Sequence, residues 1–157
     1  MRGFALGLTL FAFWLALSGH YTPFLIAVGL VCALFVVWLA QAMKIVDEEG
    51  QPIHLYRSAP AYWAWLWIEI FKSAIDVSTR IWHPRLPISP TMTRVRASQK
   101  TAVGLVTYAN SITLTPGTIT TGVKDTLLTV HALSREGADD LEAGGMDRKV
   151  SEFEGAK

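Results

Sequence analysis

Residues 60–82 read PAYWAWLWIEIFKSAIDVSTRIW, and the placement of this segment decides what kind of protein the chain is. It holds four of the six tryptophans, yet also Glu69, Lys72, Asp76 and Arg80. On a helix Glu69, Lys72, Ser73, Asp76 and Arg80 recur at i, i+3, i+4, i+7 and i+11, which makes one polar stripe. Trp63, Trp67, Ile70, Ala74, Val77 and Ile81 are expected opposite it. The charges can pair as Glu69–Lys72, Lys72–Asp76 and Asp76–Arg80. Such a helix can lie in the headgroup region with its tryptophans dipping into the bilayer, or span and turn the stripe toward a partner or a wet cavity. Arg57 precedes it, and Arg80, Arg85, Arg94, Arg96 and Lys100 close or follow it. Both flanks therefore prefer the cytoplasmic side, which favours the interfacial placement. Glu69, Lys72 and Asp76 are candidates for an ion or proton path, because ionisable groups at membrane depth are expensive. The structural alternative is a self-paired polar face at the water boundary.

Upstream, Pro23–Met43 is twenty-one residues without a charge. As a helix it would extend roughly 31 Å, the thickness of the hydrocarbon core. Pro23 suits the first helical turn, where its missing N–H is not needed. Phe4–Leu17 is shorter, about 21 Å as a helix, and with Met1-Arg2 before it and Ala16-Leu17-Ser18 at its end it resembles a secretion signal. Against cleavage, the next apolar run begins after the five residues Ser18–Thr22, the spacing of a tight hairpin. Gly3 and Ser18 lengthen the uncharged stretch, and bilayer thinning or packing absorbs a short span. A retained first span is the expectation. Gly3/Gly7 and Ala12/Ala16 are small-xxx-small pairs that let helices approach closely. Arg2 precedes the first span, the loop has no Lys or Arg, and Lys44 follows the second. The N-terminus and everything after Lys44 are thus expected in the cytoplasm. Cys32, the single cysteine, excludes an intrachain disulfide and reads as a small hydrophobe.

Downstream, His83–Pro90 carries three prolines and reads as a stiff extended connector. Thr91–Ala97 reads as a strand, and Ser98 as the N-cap of a helix over Gln99–Asn110. Thr115-Pro116-Gly117-Thr118 signals a type II turn. Thr118–Val123 and Thr126–Leu133, separated by Lys124-Asp125, read as a β-hairpin. Asp139–Glu154 could form a terminal helix interrupted at Gly144-Gly145. The lobe's core is small, so it is expected to lean on the membrane face or on neighbours. The chain thus divides into two transmembrane helices (1–44), a cytoplasmic connector (45–59), an amphipathic interfacial or third transmembrane helix (60–82), a Pro-rich linker (83–90) and a small α+β cytoplasmic domain of β-α-β-β order with an acidic tail (91–157).

Composition agrees with a membrane resident: 51% of residues are hydrophobic and mean hydropathy is +0.32. The net charge of +1 gives no overall field for nucleic acid. It hides an asymmetry, because Glu136–Glu154 holds seven of the thirteen acids while ten of the fourteen basic residues precede residue 130. Arg94, Arg96 and Lys100 read as a face toward anionic lipid headgroups. His20, His54, His83 and His131 lack metal-ligand spacing, and no nucleophile elbow or phosphate loop is present. Ser111, His131 and Asp125 could meet only by chance. No enzyme activity, cofactor or metal is expected. With so little spanning chain, a complete transport pathway is not expected either.

The run Asn110-Ser111-Ile112-Thr113-Leu114-Thr115-Pro116-Gly117-Thr118 resembles the characteristic stretch of the E subunit of the Mrp-type multisubunit monovalent cation/proton antiporters. The resemblance extends upstream to Arg57, to Trp67-Ile68-Glu69-Ile70 with Ser73, and to the Pro-rich connector, and downstream through Val130-His131-Ala132-Leu133. It is weakest in the acidic tail. It implies a small subunit of a bacterial inner-membrane assembly that exchanges sodium, in some members potassium, for protons. The implied partners are the other subunits, which carry the main proton machinery, together with membrane lipids. In the residues themselves, Asn110 and Ser111 can close a helix end, Pro116 and Gly117 set a bend, and Thr113, Thr115 and Thr118 supply short hydrogen-bonding side chains. That makes the run either a structural turn or a docking loop against a neighbouring subunit.

Overall fold

The computed structural model describes residues 2–43 and 53–155, and the chain divides into two compact units at Ile53/His54. Lys44 and the connector as far as residue 52 lie outside the described residues.

The first unit is an antiparallel pair of helices, α1 (Arg2–Ser18) and α2 (Pro23–Ala42). Gly19 takes the left-handed conformation (φ 61°) in the loop between them. The Thr22 hydroxyl caps α2 by accepting from Leu25 N at 3.3 Å, and Pro23 follows in the first turn. The indole of Trp14 lies over Gly29 and donates from Nε1 to the Leu25 carbonyl at 3.1 Å. A methyl group on Gly29 would sit 2.3 Å from that ring, so only glycine permits this approach. Gly7 faces Val37 and Gly3 faces Gln41, so the first small-xxx-small pair forms part of the hairpin seam. Ala12 and Ala16 point outward instead. On α2 only Gly29 and Ala33 are buried, Leu25, Val28, Val37 and Ala40 are half-buried, and the remaining side chains before Gln41 are exposed and apolar.

A short 3₁₀ turn (Ile53–Arg57) spans the boundary, and the second unit continues with α3 (Ala59–Trp82), β1 (Thr91–Arg96), α4 (Ala102–Leu114), β2 (Thr118–Lys124), β3 (Leu127–Ala132), α5 (Arg135–Glu142) and α6 (Gly145–Glu154). The β-α-β-β order is as expected. The three strands form an antiparallel sheet with β3 in the centre and β1 and β2 at its edges. A bulge at Thr121 shifts the β2 register. Period-2 alternation puts Val95, Leu128 and Val130 on one face, where they meet Tyr108 and Ile112 of α4, Leu141 of α5 and Val150 of α6. Tyr62 and Leu66 of α3 complete this core, so the small lobe draws on the preceding helix for the apolar surface it lacks.

Several local expectations are corrected. The helix expected at Gln99–Asn110 starts later, at Ala102, with Thr101 as its cap in place of Ser98. Residues 98–101 are tied to the tail instead: Asp147 Oδ1 accepts from Ser98 N at 2.9 Å, and the Glu154 carboxylate accepts from Thr101 N at 2.6 Å. The helix also runs past Asn110 and Ser111 to Leu114, because Ile112 belongs to the core. The expected terminal helix is two helices, broken where Gly144 takes a left-handed φ of 72°. The hairpin turns at Asp125 and Thr126, with Asp125 at φ 53° and Lys124 still paired in β2. The connector is not extended throughout, since it turns at Pro84–Arg85 and Leu86 has φ 41° before the chain straightens into β1.

Candidate functional site

Helix α3 has two unlike faces. One packs on the lobe: Leu66 is 1% exposed, Tyr62 stacks on Phe153 with ring centres 4.6 Å apart, and the Tyr62 hydroxyl lies 2.6 Å from Ser111 Oγ. Ser58, just before the helix, donates to the Phe153 carbonyl at 3.0 Å. The other face carries Trp63, Trp67, Phe71, Ile75 and Trp82, all well exposed, with Phe71 at 64% and Trp82 at 87%. Their spacing keeps them on one side, and no charged residue interrupts that side. Two residues expected on this face turn inward, and Phe71, Ile75 and Trp82, not expected there, lie on it. Ile70 packs on the core, and Val77 lies against Gly117.

The polar stripe borders a groove of about 690 Å³ between α3 and the lobe, floored by the Thr115–Thr118 turn and bounded by α5 and α6. The expected ion-path candidates Glu69, Lys72 and Asp76 all line it. Lys72 Nζ donates to Glu69 Oε1 at 2.8 Å, and Arg80 Nε donates to Asp76 Oδ2 at 2.7 Å. Among the described residues Lys72 pairs with Glu69 rather than with Asp76. Arg80 also reaches outside its helix, to Glu136 Oε2 at 2.7 Å and to the Pro87 carbonyl at 3.0 Å. It thereby ties α3, the connector and α5 together. The partner Glu136 lies fifty-six residues away, beyond any helical spacing rule.

The Asn110–Thr118 run uses most of its hydroxyls inside the lobe. Ser111 Oγ donates to Thr107 O at 2.7 Å while meeting Tyr62. Thr115 Oγ1 donates to Ser111 O at 2.8 Å, and Thr118 Oγ1 to Ile112 O at 2.7 Å. These bonds satisfy the free carbonyls at the end of α4. Thr118 N donates to Thr115 O at 3.3 Å, closing the turn, and Gly117 has φ 91°. A methyl group on Gly117 would come within 3.1 Å of Val77, so the glycine also lets the turn approach α3. Thr113 bridges α4 to β2 by accepting from Thr120 N at 3.2 Å. Only Asn110 and the side chain of Leu114 are left pointing outward without such a role.

The acidic tail folds back on the lobe. Glu154 is buried at the start of α4, where its carboxylate collects Lys100 N, Thr101 N and the Thr101 hydroxyl. A carboxylate there satisfies unpaired amides and complements the helix dipole. Glu142 accepts from the Thr93 hydroxyl. Burial, with the Asp147 charge as a smaller cause, pushes the Tyr108 phenol upward, so it stays neutral in the core. Ser111, His131 and Asp125 do not converge. Ser111 is in the core, His131 sits on the opposite side of the sheet and Asp125 is in the hairpin turn. Among the described residues no three His, Cys, Asp or Glu side chains gather as metal ligands.

A hairpin clothed in apolar side chains and a sheet-bearing lobe whose first helix is greasy on its outer side define a small membrane-associated protein. Comparison with known proteins makes this specific. The family model described as "Na+/H+ ion antiporter subunit" matches residues 7–153. The E1 subunit of the Na(+)/H(+) antiporter of Staphylococcus saprophyticus is 29% identical over 128 residues, covering 80% of this chain and 78% of that protein. Its counterpart in Staphylococcus aureus (strain JH9) is 31% identical over 123 residues, 77% of this chain and 76% of that protein. A chain in the structure of the membrane-bound sulfane sulfur reductase, an archaeal respiratory membrane complex, superposes with a TM-score of 0.73 at 24% identity, over 97% of this chain and 98% of that one. That likeness is one of fold. The chain belongs to the Na+/H+ antiporter subunit family, as an E subunit of the Mrp type, and is a transport component rather than an enzyme.

Proposed function

We propose that the chain is a non-catalytic structural subunit that supports assembly of a bacterial inner-membrane antiporter exchanging sodium or potassium for protons. Its two N-terminal helices lie in the bilayer beside larger subunits, and its lobe works on the cytoplasmic side. Of the described helices, Pro23–Ala42 is the one long and apolar enough to cross a membrane. The observation that carries the reading is the division of α3. A helix with one face sealed into a folded core and the other lined by Trp63, Trp67, Phe71 and Trp82 is a device for holding that core against an apolar medium. Membrane lipid and neighbouring subunits are the partners that fit it. The Asn110–Thr118 run, whose hydroxyls are used internally, then serves to order the lobe.

A direct part in the ion path through Glu69 and Asp76 has less support. Each carboxylate already holds a cation, Lys72 or Arg80, in an open groove beside the lobe. The test is native-gel migration of the tagged full chain from mildly solubilised membranes, with identification of what comigrates. A large species containing antiporter subunits is expected. A particle of monomer or dimer size under every solubilisation condition would sink the assembly reading.

A further inference from the structure

We infer that the open face of the β-sheet is a docking surface for an acidic segment of a partner protein. The pairing register places Arg94 opposite Thr129 and sets Arg96 and Lys124 on either side of Leu127, all on the face away from the core. Arg94 and Arg96, two residues apart on one strand, stand about 7 Å apart, and Lys124 lies about 10 Å across the sheet from Arg96. None of the residues turned outward from the three strands is Asp or Glu. At the other end of the same face, Met92 and Ile119 flank His131 and are exposed. The surface is therefore basic at one end and apolar at the other.

Four cations elsewhere in the unit are neutralised within it, whereas these three, like Arg57, Arg85 and Arg148, have no carboxylate partner among the described residues. Lys72, Arg80, Arg135 and Lys149 each rest on a carboxylate. Arg94, Arg96 and Lys124 meet no such partner among the described residues, although the tail brings a dense set of acids to the same lobe. Glu136, Glu142, Asp147 and Glu154 are engaged by other groups on the helical side. The basic face is thus left open, at a spacing that suits two or three carboxylates on an extended or helical segment.

Lipid headgroups are a poor match because of where the face points. Leu66 of α3 and Leu128 and Val130 of the sheet belong to one core. Helices α4 and α5 cover the inner face of the sheet and α3 packs on α6, so α3 and the open face of the sheet lie on opposite sides of the strands. If the Trp-bearing face rests on the bilayer, as proposed above, the sheet face is separated from it by a helical layer about 10 Å thick plus the sheet. That exceeds the screening length of about 8 Å in physiological salt. The sheet face then looks into water, toward protein. Arg94 and Arg96, expected from sequence to face headgroups, are assigned here to a subunit contact, with Lys124 as the third member. This inference rests on the subunit reading.

The test uses the full chain in its own membranes, with a benzophenone amino acid in place of Thr129 at the centre of the face. Irradiation is expected to give a protein adduct whose cross-linked peptide is rich in Asp and Glu. The adduct yield should fall about tenfold in the Arg94→Glu/Arg96→Glu/Lys124→Glu variant and persist when the same positions exchange Arg and Lys. A lipid adduct, a nuclease-sensitive adduct, a protein adduct indifferent to charge reversal, or no adduct would each overturn the docking surface. The wild-type chain's native-gel migration is read separately. A chain that stays in the large species without an acidic adduct defeats this inference alone, whereas a chain that migrates by itself defeats the subunit reading as well.

Discussion

Helices α2 and α3 are both long, both start beside a proline and both bear exposed tryptophan, yet their apolar side chains answer to different surroundings. On α2 the exposed residues before Gln41 are apolar all round: Phe24, Ile26, Leu30, Phe35, Val36 and Leu39 surround the seam marked by Gly29 and Ala33. A helix apolar on every side needs an apolar solvent. On α3 the apolar residues form two sets, separated by charges that border the groove. Tyr62 and Leu66 fill a core that any water-soluble protein could own, and only Trp63, Trp67, Phe71, Ile75 and Trp82 require a second apolar surface. Total hydropathy cannot tell these situations apart, whereas the distribution of burial around the helix does.

The largest expected effect probes the inner face of α3. Leu66→Ala should destabilise the second unit by about 2–5 kcal/mol, since Leu66 is fully packed and the site cannot collapse freely. Phe71→Ala, on the outer face, should leave that stability within about 0.5 kcal/mol in detergent while weakening retention in the native complex. Thermal unfolding of the purified chain beside native-gel migration distinguishes them. Equal destabilisation by both would mean that α3 has no free face. Next comes α2. Val31→Arg puts a charge near the middle of the helix at an exposed position and should disfavour insertion by about 2.5–3.5 kcal/mol. Carbonate extraction would then move the variant out of the membrane fraction, and full retention would argue that this side of α2 meets water or a polar partner.

The sequence made the architecture readable because its strongest signals are periodic. The hairpin, the amphipathic helix and the β-α-β-β order follow from uncharged runs, helical spacing and turn residues near Pro116 and Gly117. What it hid lies in long-range contacts. The start of α4 is displaced by Asp147 and Glu154, about fifty residues further along the chain. Ile70 and Val77 turn to the lobe because a core exists there to receive them, a fact absent from the helix itself. In the groove, the Lys72–Glu69 and Arg80–Asp76 pairs follow from helical spacing, whereas Arg80–Glu136 does not. Lys124 joins Arg94 and Arg96 only through the strand register.

Two smaller effects sharpen the contrast between the units. Gly29→Ala drives a methyl group into the Trp14 ring, and the hairpin should loosen by about 1–3 kcal/mol. The check is loss of the Trp14 environment by fluorescence in variants that keep Trp14 and replace the other tryptophans. Unchanged emission would show that the ring moves aside freely. Glu154→Gln removes a charge from the start of α4 and should destabilise the lobe by about 1–2 kcal/mol, with faster amide exchange at Lys100 and Thr101. Unaltered exchange there would show that the tail is not what fixes the start of α4.

The smallest expected effect concerns the residues that looked most functional from the sequence. Glu69→Gln disrupts a pair whose lysine is largely exposed, so lobe stability should change by about 0–1 kcal/mol. Asp76→Asn should act similarly, because Arg80 keeps Glu136 and the Pro87 carbonyl when Asp76 is neutralised. If the polar stripe is the water-side border of a clamp, both variants should assemble normally and exchange cations at close to the parent rate in everted vesicles. If either carboxylate carries the transported ion or proton, exchange should collapse while the native-gel species stays intact. That single dissociation would transfer α3 from the scaffold to the transport path. It would also mean that the groove beside the lobe is continuous with the route of the ion.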